Sequence, residues 1–306
     1  MNDIGQRIEQ YKADRRHGAS QLLTIALEIL QDAARVWPDN HERTIISQLD
    51  SLAAEMADAR PSMVNINNVM NRFRKYLTLM DASAANETIR EQAKEKAGLL
   101  NRYCQEVSRL VIANAVRSIE DGSTIMTCSF SSTVLRTLQQ AHQQGTHFSI
   151  LILESCWQDC CYGAHMYQEL MERGIESRLI RDAETVKYLP GTDQVLLGAD
   201  TLFPDGTLIN GCPSRELAMA AVSCPPRVPV IALLETVKIS RQAEPGKLQD
   251  GFQAIPFDCL FGVITEKGLH KNPDELKALA GRIEPEEVLK SHGKMWDCFM
   301  CYNSFI

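Results

Sequence analysis

The hydrophobic period of the chain changes at Asp121-Gly122, and this change constrains the fold more than any other feature of the sequence. Before it, apolar residues recur at helical spacing. The stretch "ASQLLTIALEILQDAARVW" sets Leu23, Ala26, Leu27, Leu30 and Ala34 on one stripe. "HERTIISQLDSLAAEMADA" repeats the period. Pro61 opens another helix through "SMVNINNVMNRFRKYLTLM", at the first-turn position where proline is tolerated. A long helix then runs from Glu87 to Glu120 and stops at Asp121-Gly122. After that point short apolar runs alternate with helical segments. "STIMTCSF", "FSILILES", "SRLI", "DQVLLGAD" and "VPVIALLE" read as strands, with helices in "SSTVLRTLQQAHQQG", "AHMYQELMERG", "AETVKYL" and "SRELAMAAV". Near-continuously apolar strands alternating with helices form a parallel sheet covered on both faces. The expectation is an α/β protein: a helical N-terminal domain over residues 1–120, including the long connecting helix, then a Rossmann-like parallel-sheet domain over 121–306.

Charge and cysteine content narrow the function classes. The net charge of -7, without a basic tract, and an aromatic content of 6% argue against a nucleic-acid surface. No apolar run approaches the roughly 20 residues that span a bilayer. The first residues, "MNDIGQRIEQYKADRR", are polar and charged, unlike a secretory signal. The chain is therefore expected in a reducing cytoplasm, with its ten cysteines free, metal-bound or chemically active. Cys156, Cys160 and Cys161 form C-x3-C-C, and Cys298 with Cys301 forms C-x2-C. Structural zinc usually takes two regular pairs, so neither a metal nor another cofactor is expected. Cys104, Cys224 and Cys259 read as ordinary buried thiols. The apolar tail, with Trp296, Phe299, Met300, Tyr302, Phe305 and Ile306, reads as a packed or interface segment and points to a homodimer or higher homo-oligomer.

Ligands of open parallel sheets bind at the carboxyl ends of the strands. That rule selects Cys128, Ser129, Ser131 and Ser132 after the first strand, and Glu154 with "SCWQDCCYG" after the second. It also selects Asp200 of "GAD", then Asn210 and Cys212 of "INGCPS", and finally Glu235 and Lys238. Serine hydroxyls and free amides at a helix N-terminus suit an anion such as phosphate, although the same serines also serve as helix caps.

The series "DGSTIMTCSFSSTVL … LLGADTLFPDGTLIN … ALLETVK … FDCLFGVITEKG" resembles the alpha, beta and delta subunits of eukaryotic translation initiation factor 2B. It also resembles their relatives, ribose-1,5-bisphosphate isomerase and methylthioribose-1-phosphate isomerase. "HGAS" at 17–20 is similar to the family's RGA-type loop, and "ARPSMVN" at 59–65 to its RPT-x-VN segment. The resemblance implies a sugar-phosphate pocket. It also implies isomerisation of an aldose 1-phosphate to the ketose 1-phosphate, in which an acid opens the ring and a second group shuttles hydrogen between C1 and C2. Asp200 matches the family's acid. A carboxylic acid working at neutral pH needs a raised pKa, which a closed apolar pocket supplies. The resemblance puts phosphate among Gly18, Ala19, Ser20, Arg60, Ser131 and Ser132, with Glu154, Asn210 and Lys238 beside the substrate.

Three positions depart from the family pattern. The family's thiol falls at Ser129, while Cys128 stands in place of its histidine. Neighbouring strand residues point to opposite faces. Either Cys128 faces away and a hydroxyl fills the slot, or a bulged strand end turns the thiol inward. A lysine of the family becomes Gly211, and an arginine becomes Cys156. Two readings follow: an isomerase using Asp200 with Cys128 or Ser129, or a non-catalytic sensor of a sugar phosphate or nucleotide, of the initiation-factor type.

Overall fold

The computed structural model describes residues 2–14, 17–37, 44–61, 63–242 and 248–290. It divides into two compact units: Met1–Pro61, Ile66–Val107 and Arg282–Ile306 form the first, and Ser62–Asn65 with Ser108–Gly281 the second. The apolar tail, with Cys298 and Cys301, lies outside the described residues.

The first unit is helical. Its helices are α1 (Asn2–Ala13), α2 (Ala19–Val36), α3 (Ile45–Asp58), most of α4 (Val64–Thr78), and α5 (Asn86–Val116) as far as Val107. The stripe read from the sequence of α2 is its buried face, including Leu23, Ala26, Leu27, Leu30 and Ala34. Burying each such leucine contributes about 1.5–3 kcal/mol. The Thr44 hydroxyl caps α3 by accepting from the Ser47 amide. The polar N-terminus is helical as well, fastened where the Tyr11 hydroxyl donates to the Met56 carbonyl at 3.0 Å. Two sequence expectations need correction. Pro61 lies in a turn, and α4 starts three residues later. The long helix ends at Val116 rather than Glu120. There the backbone tightens into bonds from Ser118 to Ala115 and from Ile119 to Val116, and the Ser118 hydroxyl takes the same Ala115 carbonyl.

The second unit is built on a seven-stranded sheet. Along the chain its elements are β1 (Ser123–Thr127), α6 (Ser132–Gln143), β2 (Phe148–Leu153), the short pair β3 (Cys156–Trp157) and β4 (Cys160–Cys161), and α7 (Tyr162–Met171). Then come β5 (Ser177–Ile180), α8 (Thr185–Tyr188), β6 (Gln194–Leu197), β7 (Thr201–Leu202), β8 (Leu208–Gly211) and α9 (Ser214–Ser223). The last are β9 (Val230–Leu233), β10 (Phe252–Ile255), β11 (Gly262–Thr265), β12 (Gly268–His270) and α10 (Pro273–Lys277). The sheet order is β12-β11-β9-β6-β1-β2-β5, and all neighbours are parallel except β12 on β11. Strand order therefore reverses between β1 and β6, the place where doubly wound sheets open a crevice for a ligand. The sequence reading missed the two smaller antiparallel pieces, β10-β8-β7 and β3-β4.

Alternation along the strands supplies two cores. Met126, Val195, Leu197, Val230 and Ala232 pack with Leu217, Ala218 and Ala221 of α9. Their neighbours Ile125, Leu196, Ile231 and Leu233 pack with α6, α7 and the end of α5, through Leu138, Met166 and Val111. A strand buried on both faces has no polar positions to spare, which explains why these runs lack a visible period of two. No helix among the described residues is long and apolar enough to cross a membrane.

Candidate functional site

The strand ends at the reversal carry the polar residues of the second unit. Cys128 continues the face of Met126 into the core against α9 and is 1% exposed. Burial, and then the charges of Asp182, Cys212 and Glu216, push its thiol far above the ordinary cysteine range. Ser129 then breaks the strand: its φ of 61° is left-handed, a conformation a non-glycine residue adopts at some cost. Its amide donates to the Ser155 hydroxyl at 2.7 Å. Ser131 caps α6, accepting from the Val134 amide at 3.3 Å, and Ser132 opens the helix.

Two glycines let the facing strands approach this turn. A Cβ on Gly198 would lie 2.3 Å from the Ser131 Oγ, so only glycine fits immediately before Ala199-Asp200. A Cβ on Gly211 would lie 3.0 Å from the Ser129 Oγ. Ser131 thus lies against the end of β6, and Ser129 against the end of β8. Asn210, 7% exposed, sits on β8 opposite Gln253.

Asp200 follows β6. Its amide donates to the Ile209 carbonyl at 2.9 Å, which ties it to β8. Protein closely surrounds its carboxyl, although part of its surface stays exposed. Burial raises its pKa to about 6, against a smaller opposing pull from the Lys238 ammonium. A backbone bridge between Leu202 and Ile239, with the Ser240 amide on the Leu202 carbonyl at 2.7 Å, holds the two segments side by side.

Lys238 is 3.0 Å from Glu235, and both side chains are almost fully buried. Burial pushes the Glu235 carboxyl up, but the Lys238 charge and hydrogen bond outweigh it and hold the pKa below the usual glutamate range. Glu235 also accepts from the Thr133 hydroxyl, in the first turn of α6, at 3.4 Å. Glu266, behind this pair, takes the Thr236 amide at 3.0 Å and is bonded to the Thr236 hydroxyl. Burial raises its pKa.

Glu154 is half-buried after β2, its amide on the Ile180 carbonyl at 2.9 Å. The next residue, Ser155, opens the selected stretch "SCWQDCCYG" but is not singled out within it. It is buried, its φ is 50°, its amide donates to Asp182 at 2.9 Å, and its hydroxyl holds the Ser129 amide. No local pattern marks it, because its role comes from a contact 26 residues away. The expectation of free thiols in this loop is overturned: Cys156 and Cys161 form a disulfide across the β3-β4 pair. The register sets the two residues directly opposite one another. Cys104, Cys224 and Cys259 take part in no disulfide among the described residues and are only partly buried. Among the described residues no cluster of histidine, cysteine and carboxylates is arranged to hold a metal.

The remaining sequence candidates belong to the first unit. Gly18 precedes α2 and donates to the Gln21 side chain at 3.3 Å, while Ala19 and Ser20 form the first turn. His17 lies 2.6 Å from the Asp14 carboxylate. Arg60 donates to the Tyr11 carbonyl and, at 2.8 Å, to that of Asp14, and its guanidinium stacks over the Tyr11 ring.

In sequence and fold the chain is similar to sugar-phosphate isomerases and initiation-factor subunits. A ribose 1,5-bisphosphate isomerase of Archaeoglobus fulgidus is 27% identical over 292 residues, covering 95% of this chain and 81% of that protein. A putative translation initiation factor eIF-2B subunit 2-like protein of Pyrococcus horikoshii is 25% identical over 285 residues, 88% of this chain and 97% of its own. In fold, the chain matches the translation initiation factor eIF-2B crystal structure from Pyrococcus horikoshii, with a TM-score of 0.75, 24% identity, and coverage of 90% of this chain and 99% of that one. It also matches 5-methylthioribose 1-phosphate isomerase from the same organism, with a TM-score of 0.74, 17% identity, and coverage of 90% and 87%. Residues 15–250 match the family model directly: the chain belongs to the initiation factor 2 subunit family.

Proposed function

We propose that this protein isomerises an aldose 1-phosphate to the corresponding ketose 1-phosphate, acting on ribose 1,5-bisphosphate or methylthioribose 1-phosphate. The observation that carries the reading is Asp200, a carboxylic acid at the strand reversal whose pKa burial raises to about 6 against a smaller opposing pull from Lys238. Because phosphate blocks the anomeric oxygen, the ring opens only if the ring oxygen gains a proton as its bond to C1 breaks. Asp200 supplies that proton and recovers one from the C2 hydroxyl as the ketone forms, while the hydrogen on C2 moves to C1. The step is thus balanced without an external oxidant. Ser131, Ser132 and the α6 amides take a phosphate, with Asn210 and Lys238 at the sugar. Gly18, Ala19, Ser20 and Arg60 are the phosphate candidates of the helical unit. Ser129 is favoured over Cys128 as the residue meeting C1 and C2, since the thiol lies in the core and stays protonated. The relatives named ribose 1,5-bisphosphate isomerase support the substrate class. A homodimer in the cytoplasm is part of this reading.

The test is direct. Carbon-13 spectra of ribose 1,5-bisphosphate and, separately, methylthioribose 1-phosphate incubated with the protein should gain a ketone resonance. Binding of either sugar without that signal would discard the catalytic reading. A second reading, a non-turning-over sensor, draws on the same buried thiol and on Gly211, where the family carries a lysine. It predicts thermal stabilisation by a phosphorylated ligand with no product.

A further inference from the structure

The hairpin after β2 takes no part in the proposed reaction, yet it leans on the residues that do. It is a two-residue antiparallel pair in which Cys156 opposes Cys161 and Trp157 opposes Cys160, closed by the Cys156–Cys161 disulfide. Two non-glycine residues flank or turn it in the left-handed region, Ser155 at φ 50° and Gln158 at φ 51°. Such conformations persist only where the surroundings fix them: the Asp182 carboxylate holds the Ser155 amide at 2.9 Å, and Gln158 lies inside the ring that the disulfide closes.

Two contacts run from the hairpin to the site. Ser155 precedes Cys156 directly, and its hydroxyl accepts the Ser129 amide at 2.7 Å, inside the turn between β1 and α6. Trp157, 39% exposed, lays its indole over Gly251, so closely that a Cβ there would lie 3.0 Å from Nε1. Gly251 in turn accepts the Cys212 amide at 2.9 Å, and the next residue, Phe252, pairs with Gly211. The disulfide therefore closes a loop that touches both the β1–α6 turn and the end of β8. Cys156 is exposed, so a small reductant reaches the bond.

We propose that the Cys156–Cys161 disulfide is a reversible redox site, and that its reduction by a dithiol frees the hairpin, loosens the β1–α6 turn and the end of β8, and weakens binding of a phosphorylated sugar there. The last clause rests on the proposed function; the loosening does not. One thiolate of the dithiol attacks a bridge sulfur, and its second thiol resolves the mixed disulfide. The dithiol supplies two electrons and two protons and leaves as a cyclic disulfide, while Cys156 and Cys161 become thiols.

The experiment uses the full chain, oxidised and after treatment with dithiothreitol. Alkylation and peptide mapping should label Cys156 and Cys161 only after reduction. Amide exchange in the peptide containing Ser129 should quicken about tenfold, the emission of Trp157 (isolated by difference from W157F) should shift, and half-saturation by ribose 1,5-bisphosphate should rise about tenfold, a typical coupling between sites. The double variant C156S/C161S should match the reduced protein and ignore dithiothreitol. Absence of the cross-linked peptide from the oxidised protein overturns the proposal. So does Ser129 exchange that is identical in the two states. If ribose 1,5-bisphosphate binds neither form, the functional reading fails, and Ser129 exchange still decides this one.

Discussion

Two buried carboxylates at one edge of the sheet have opposite fates. Asp200, after β6, has no cation within ion-pair distance among the described residues, and burial raises its pKa to about 6. Glu235, after β9, lies 3.0 Å from the Lys238 ammonium, which keeps its pKa low although it is the more deeply buried of the two. Lys238 acts on both, strongly on the neighbour it touches and weakly on the one it does not. Carboxylates whose surroundings drive their pKa values apart divide the work: one holds a proton to give, and the other stays charged to organise. In this account Asp200 is the acid, and Glu235 fixes the lysine and, through Thr133, the first turn of α6.

Breaking the Asp200 side of the comparison should have the largest effect. Asp200→Asn removes the transferable proton and little volume, so turnover of ribose 1,5-bisphosphate should fall by about 10²–10⁴-fold with its affinity largely kept, as read by steady-state rates and calorimetry. Breaking the Glu235 side should instead appear as stability. Glu235→Gln leaves a buried ammonium without its counter-charge, at a cost of about 3–5 kcal/mol in urea unfolding.

The pH dependence of stability sharpens the contrast, because the two groups have opposite signs. Asp200 binds its proton more tightly folded than unfolded, so it costs stability as pH rises from 3.8 through about 6. Asp200→Asn should therefore be more stable than the parent above pH 6, by about 2–3 kcal/mol, and about equal to it near pH 3. Glu235 contributes stability above its unfolded value of 4.5, and that is lost as pH falls through its lower folded value. The smallest effect on turnover should come from Cys128. Cys128→Ser puts a hydroxyl into the α9 core and costs about 1–3 kcal/mol of stability with turnover nearly unchanged. Ser129→Ala should lower turnover and leave stability within about 0.5 kcal/mol. The reverse pattern would mean that the thiol reaches the sugar.

Much of this was legible before any coordinates. The change of period at Gly122 announced the parallel sheet, and the strand-end rule picked out Cys128, Ser129, Asp200, Asn210, Glu235 and Lys238. Local pattern carries the positions of Cys128, Ser129, Asp200, Glu235 and Lys238, because each follows a strand of the large sheet, whereas Asn210 lies within β8 of the small one. Ser155, Gly198 and the Cys156–Cys161 bond were not legible, since each depends on what another segment places beside it. The small sheet of β7, β8 and β10 was missed because its strands are only two to four residues long and β10 joins β8 across a long gap in sequence. The choice between an inward and an outward Cys128 also needed coordinates, which put it on the same face as Met126.

The most direct measurement is the pH dependence of kcat/KM for ribose 1,5-bisphosphate, which reports ionisations of the free enzyme. With Asp200 as the acid, the rate should be level at low pH and fall about tenfold for each pH step above a limb near 6, the value burial gives its carboxyl. Asp200→Asn should lack that limb along with the activity. A profile flat between pH 5 and pH 8, or a limb preserved in Asp200→Asn, would contradict the account.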